Sequence, residues 1–176
     1  MNLLTLLAAI GAVQNPVAAP VVVSQSRTYE KQIVVAPNVY EDGKQAAYVV
    51  RGNGIVVDFG GTHIQGTAVE AEPDQRRGTA IVVEGNNVTL RNVRAYGFKF
   101  GLVARNAHGL KLETCDFSHG YRPRLRSTLE GEDSSDWMSF HRNDNDEWMR
   151  FGAGVYLRDC DGIEIKNLTV QNAACG

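Results

Sequence analysis

The chain has 176 residues, 43% of them hydrophobic and 18 of them Gly, which suits one globular domain rich in turns. Its 18 basic and 20 acidic residues leave a net charge of −2. That balance excludes the basic footprint of a nucleic-acid binder.

The chain opens "MNLLTLLAAIGAVQNPVAAP". Leu3 to Val13 is an apolar run of signal-peptide length, too short to cross a bilayer. Small residues at Val17, Ala18 and Ala19 offer a cleavage site. No Lys or Arg precedes the run and Pro20 would follow the cut, both unusual for a signal. The expectation is a signal peptide over residues 1–19 and a secreted, periplasmic or cell-surface protein. Residues 20–46 read as a lead-in or cap, and no other segment suits a transmembrane span. The cysteines are Cys115, Cys160 and Cys175, an odd number without metal-ligand spacing. No disulfide or zinc site is predicted.

From Ala47 onward four segments repeat: "AYVVRGNGIVV" from Ala47, "AIVVEGNNVTLRNVRAY" from Ala80, "LVARNAHGLKLETCDFS" from Leu102 and "VYLRDCDGIEIKNLTVQ" from Val155. Aligned without gaps, they place apolar residues at every second position, which is strand periodicity. Each unit is read as holding three short strands. A Gly/Asn turn follows the first, and Asn92, Thr114 or Asn167 precedes the third. No unit buries its apolar row alone, so the units must stack. The expected fold is all-β, a right-handed parallel β-helix of three short strands per coil of about 22 residues. "GLKLETCDFSHG" and "DGIEIKNLTVQN" resemble coils of pectin-lyase-like right-handed β-helix repeat proteins. The resemblance covers roughly Ala47 to Asn172. It implies a polysaccharide-binding cleft over the first strands, walled by loops.

The unit starts are 33, 22 and 53 residues apart, so the first and last intervals carry insertions. Both fall after a coil's last strand. One surrounds "EAEPDQRRG"; the other occupies residues 119–151. The gapless alignment points Ile81, Val103 and Tyr156 outward in one column, and Val83, Arg105 and Arg158 in the next. Stacked Arg105 and Arg158 repel each other and call for an anion. A bound uronate or sulfate satisfies them, and so does an acid of the insert such as Asp136, Asp144 or Glu147. On the second strands, outward Arg91, Glu113 and Lys166, and Thr89, Lys111 and Glu164, form an ordinary solvated charge ladder.

The large insertion holds Trp137, Phe140, His141 and Trp148 among many charges. Ser134 or Ser135 could cap a short helix there, and Trp137, Met138, Phe140 and Met149 would pin the loop to the solenoid. Its candidate catalytic residues are Tyr121, Asp136, His141 and Asp144, with His119, Trp148, Arg105, Tyr156 and Arg158 as substrate contacts. A base beside a uronate carboxylate suits a lyase, and paired carboxylates suit a glycosidase. "DNDE" at Asp144–Glu147 is no EF-hand, though a less regular Ca²⁺ site is open there. Asn87 and Asn167 begin N-x-[ST] sequences, read as coincidence. The last unit stops near Val170 without a capping element, so the chain is expected to be the N-terminal portion of a longer protein.

Two functions follow from this reading. One is a secreted protein that binds, and processes as lyase or hydrolase, an acidic or plant/algal polysaccharide. The alternative is a non-catalytic, adhesin-type surface β-helix whose insertion is structural.

Overall fold

The computed structural model describes residues 21–28, 33–34, 46–68, 70–136 and 149–174. The expected signal at 1–19 lies outside them, as do Trp137, Phe140, His141, Asp144, Glu147, Trp148 and Cys175.

The strands are short and almost all β. They run β1 (Val21–Val23), β2 (Arg27–Thr28), β3 (Ile33–Val34), β4 (Ala46–Val50), β5 (Val56–Asp58), β6 (His63–Gln65), β7 (Thr79–Val83), β8 (Thr89–Arg91), β9 (Arg94–Tyr96), β10 (Phe100–Arg105), β11 (Lys111–Asp116), β12 (Ala153–Arg158) and β13 (Glu164–Thr169). Every described pair is parallel. The first strands stack as β1-β4-β7-β10-β12. The second and third strands of successive coils stack on the other walls, and β11 and β13 each run through both. Residues 20–46, read as a lead-in, contain β1, β2 and β3, which pair with β4, β5 and β6 as a coil of their own.

Stacking buries one continuous column of apolar side chains, the solenoid's main source of stability. Tyr48, Ile81, Leu102 and Val155 share one inward level, and Val50, Val83, Ala104 and Leu157 the next. Ile81 and Val83, expected to face outward, are 0% and 1% exposed in this core. The gapless alignment misplaced them by one residue. First strands β7 and β10 are offset by 21 residues (Phe100 on Thr79), whereas second strands β8 and β11 are offset by 22 (Lys111 on Thr89). The extra residue sits in the turn after β10, where Asn106 adopts φ 51°, and Asp159 repeats it after β12 at φ 52°. Val82 takes the outward place beside Val103, and Glu84 stands one residue beyond the Val83–Ala104 pair.

Each turn repeats from coil to coil as a column of left-handed residues. Gly54, Asn87, Gly109 and Gly162 form one; Asn92, Thr114 and Asn167 form the second; Gly97, His119 and Asn172 form the third. Asn tolerates this region because its short polar side chain bonds locally, and Thr114 is the β-branched exception. Gly101 is required for another reason: a Cβ there would lie 2.5 Å from the Gly154 carbonyl and 2.6 Å from Phe117 Cβ.

The outer face of the second strands is the expected charge ladder. Arg91 pairs with Glu113 at 2.5 Å, and Lys111 with Glu164 at 2.7 Å. Exposed pairs of this kind each contribute at most about 1 kcal/mol. On β13, Ile165 is 48% exposed while its neighbour Leu112 is fully buried.

Candidate functional site

Both insertions leave the solenoid at the third turn, as expected. The first, residues 66–78, carries a 3-10 turn at Pro73–Gln75. Arg77 Nη1 braces it by donating to the Asp74 carbonyl at 2.6 Å and the Arg76 carbonyl at 2.9 Å. The second leaves β11 through Ser118 and His119. The two are tied together: the Arg122 N–H donates to the Pro73 carbonyl at 3.3 Å, and Arg76 Nη1 donates to the Gly120 carbonyl at 3.0 Å.

Between them opens a cleft of about 920 Å³. Glu72, Asp74, Tyr121, Arg122, Arg124, Arg126, Asp136 and Phe151 line it. Residues 121–128 belong to no helix or strand, and Arg122, Arg124 and Arg126 are all exposed at two-residue spacing. Among the described residues none of these three forms an ion pair. The row was visible in the sequence as part of the insert's charge, but nothing there separated it from arginines paired with acids.

Tyr121 and Asp136, two proposed catalytic groups, share this cleft. The Tyr121 ring is flanked by cations, with Lys99 Nζ 5.2 Å and Arg77 Cζ 5.7 Å from its centroid. Asp136 follows the 3-10 turn start at Ser134, where a short helix was expected. Its carboxylate accepts from the Arg126 N–H at 2.8 Å and the Ser127 N–H at 2.6 Å. Bonds from Ser127, then from Arg126, hold it below the usual carboxylate range. Held by these bonds, Asp136 fixes the arginine-bearing loop at the cleft.

The outer face of the first strands is a second part of the same side. Phe100, Val103, Ala153 and Tyr156 form an apolar cluster there, with Val82 and Met149 packed on it. Met149 thus pins the returning end of the insertion, as expected; Trp137, Met138 and Phe140 lie outside the described residues. Arg105 and Arg158 are neighbours across β10 and β12, as the repeat implied. Arg105 Cζ lies 5.4 Å from the Tyr156 ring centroid, and Arg158 Nε lies 3.3 Å from Asp159. Glu84, the acid that replaces Val83 in this column, pairs with Arg51 at 2.7 Å. These arginines close the far end of the strands. From Ala153 to Arg158 is about 17 Å of extended chain, so the fold does not bring Arg105 and Arg158 together with Tyr121 and Asp136.

His119 parts from Tyr121 despite lying two residues away. It sits against the third-strand face, its ring 5.3 Å from that of Tyr96, which meets His63 at 4.4 Å. Tyr96 OH donates to Asp116 Oδ2 at 2.6 Å, and the Ser118 N–H donates to Asp116 Oδ1 at 3.0 Å. Burial raises the Asp116 pKa, but these bonds and His119 outweigh it, leaving the carboxyl below its usual range. Burial, then the bond to Asp116, pushes the Tyr96 hydroxyl up to about 12. His63, Tyr96 and Asp116 were not singled out in the sequence, because a residue's place on the third wall depends on the register.

Among the described residues no group of three His, Cys, Asp or Glu side chains is placed to hold a metal ion. Cys115 and Cys160 are free thiols, and burial raises Cys115 to about 11. No described helix is long and apolar enough to cross a membrane.

Comparison with known proteins agrees with this architecture. Residues 38–176 match the family described as right handed beta helix region. Neither the curated proteins nor the solved structures yield a match. The parallel stacked coils and a family match over most of the chain lead to one statement: the chain belongs to the right-handed β-helix family.

Proposed function

We propose that the protein binds an acidic polysaccharide along the side of the solenoid that carries both insertions. The observation that carries this reading is the row Arg122, Arg124 and Arg126, exposed in a cleft of about 920 Å³ beside the rings of Tyr121 and Phe151. Guanidinium forks suit carboxylate and sulfate groups, and aromatic rings suit the apolar faces of sugars. Arg105 and Arg158, both half-buried, carry positive charge to the other end of the first strands, while Tyr156, 9% exposed, packs under Arg105. Only an extended polymer spans both ends. An extracellular polymer also agrees with the secretory signal expected at residues 1–19.

The test is a panel of acidic and neutral polysaccharides, measured for binding at several salt concentrations. Each exposed arginine contact is worth up to about 1 kcal/mol, so replacing all three cleft arginines by Gln should weaken acidic glycans by about 10- to 100-fold. Binding should also weaken with salt. Unchanged affinity would remove the cleft from the reading. The Arg105→Ala/Arg158→Ala variant reports whether the polymer reaches the far end. The same samples are followed by ultraviolet absorbance for unsaturated uronates and by reducing-end release. The first product marks a lyase, the second alone a hydrolase, and binding without either marks a non-catalytic surface protein.

A further inference from the structure

A smaller cavity of about 260 Å³ lies on the third wall, separate from the cleft. His63, Gln65, Tyr96 and His119 form its solenoid side, and Arg76 of the first insertion covers it. Arg76 is only 7% exposed. It donates from Nη1 to the Gly120 carbonyl, but its buried Nε has no hydrogen-bond partner. Neither does the buried Nε2 of His63. Arg76 forms no ion pair among the described residues. Asp116, an acid on that wall, is engaged by Tyr96 and Ser118.

A buried cation without a counter-charge is costly, and a buried donor without an acceptor adds to the cost. Burial, followed by the charge of Arg122, already lowers the Arg76 pKa. Both nitrogens belong to residues that line the cavity, so an unmatched guanidinium edge and an imidazole nitrogen stand within its wall, between aromatic rings. A planar carboxylate satisfies two donors at once, and a ring-shaped body fits beside the edge-to-face rings of His63, Tyr96 and His119.

We propose that this cavity binds a small ring-bearing carboxylate, held by Arg76 and His63 and packed against Tyr96 and His119. The site uses the third wall and does not depend on the polysaccharide cleft.

The test follows the imidazole NMR signals of the chain's four histidines while glucuronate, glucose or inorganic sulfate is titrated into the full-length protein. Glucuronate should shift the His63 and His119 signals saturably, and glucose should not. Arg76→Gln should weaken the response by at least about tenfold, the loss expected for one charge-assisted bond. His63→Phe keeps the ring packing and should weaken it too, so a misfolded Arg76 variant leaves the test intact. Arg124→Gln/Arg126→Gln, cleft residues whose charges do not act on Arg76, should leave the response unchanged, which separates this site from the cleft. Absence of a saturable shift into the tens of millimolar overturns the proposal. So does an equal response to glucose, or to sulfate, which lacks the ring.

Discussion

Among the described residues with positive φ, Thr114 is the β-branched one and the most at odds with its backbone. It is exposed, lies within β11 and holds φ 57°, a region that costs a non-Gly L-residue about 1–2 kcal/mol. For a β-branched side chain such a conformation is an outlier. Its column neighbours are Asn92 at 52° and Asn167 at 54°, so Asn already fills the same turn on both sides. Thr114→Asn keeps a polar, solvent-facing side chain and relieves part of that strain. The expected gain is about 0.5–1 kcal/mol. For a chain of this size, that raises the unfolding midpoint by about 1–4 °C. Thr114→Gly removes all the strain but adds backbone freedom to the unfolded chain, which returns about 0.5–1 kcal/mol, so its net gain should be about equal to that of Asn. Paired thermal and urea unfolding of the three proteins gives the order directly. A Thr114→Asn variant no more stable than the parent would refute the claim that the turn stores strain.

Two further outcomes are expected. Gly101→Ala should destabilise by about 1–3 kcal/mol or more, because the new methyl meets the Gly154 backbone at 2.5 Å and a packed ring; wild-type urea stability would contradict the close approach. The Tyr96–Asp116 bond has a pH signature. With the Tyr96 pKa raised to about 12 from 10.0, its contribution is complete below about pH 10 and fades as pH rises toward 12. Asp116, whose folded pKa is lowered, contributes above its unfolded pKa and loses that contribution as pH falls through the folded value. Tyr96→Phe should flatten the alkaline limb of a stability–pH curve, and an unchanged limb would place the transition elsewhere.

How much of the site was legible follows from which interactions are local. Arg105, Tyr156 and Arg158 were legible because "LVAR" and "VYLR" repeat without a gap, and β10 and β12 are paired in that same register. Ile81 and Val83 were misplaced because β7 differs from β10 by one turn residue. In a strand, a slip of one exchanges the faces. The compensation is the left-handed Asn106, a backbone conformation that the letter alone does not announce. The split between Tyr121 and His119 was hidden for a related reason: His119 turns the chain at φ 54°, so residues two apart end on different walls. Arg76 was hidden more deeply. Its burial arises from Gly120, 44 residues away, and from coils the insertion folds across.

The sequence by itself determined the architecture. An apolar residue at every second place, Gly or Asn at each turn and units near 22 residues admit few solutions other than stacked parallel coils, because no single unit can bury its own row. It also determined where the insertions leave, since unit spacing is a local count. Beyond the second-strand charge ladder and the Arg105–Arg158 stack, tertiary structure alone decided which charges meet. The three-arginine row, the engaged carboxylates of Asp136 and Asp116, and the unmatched Arg76 depend on register between coils and on how one loop lies over another. Those relations are set by packing across dozens of residues, at distances where the sequence carries no period to read.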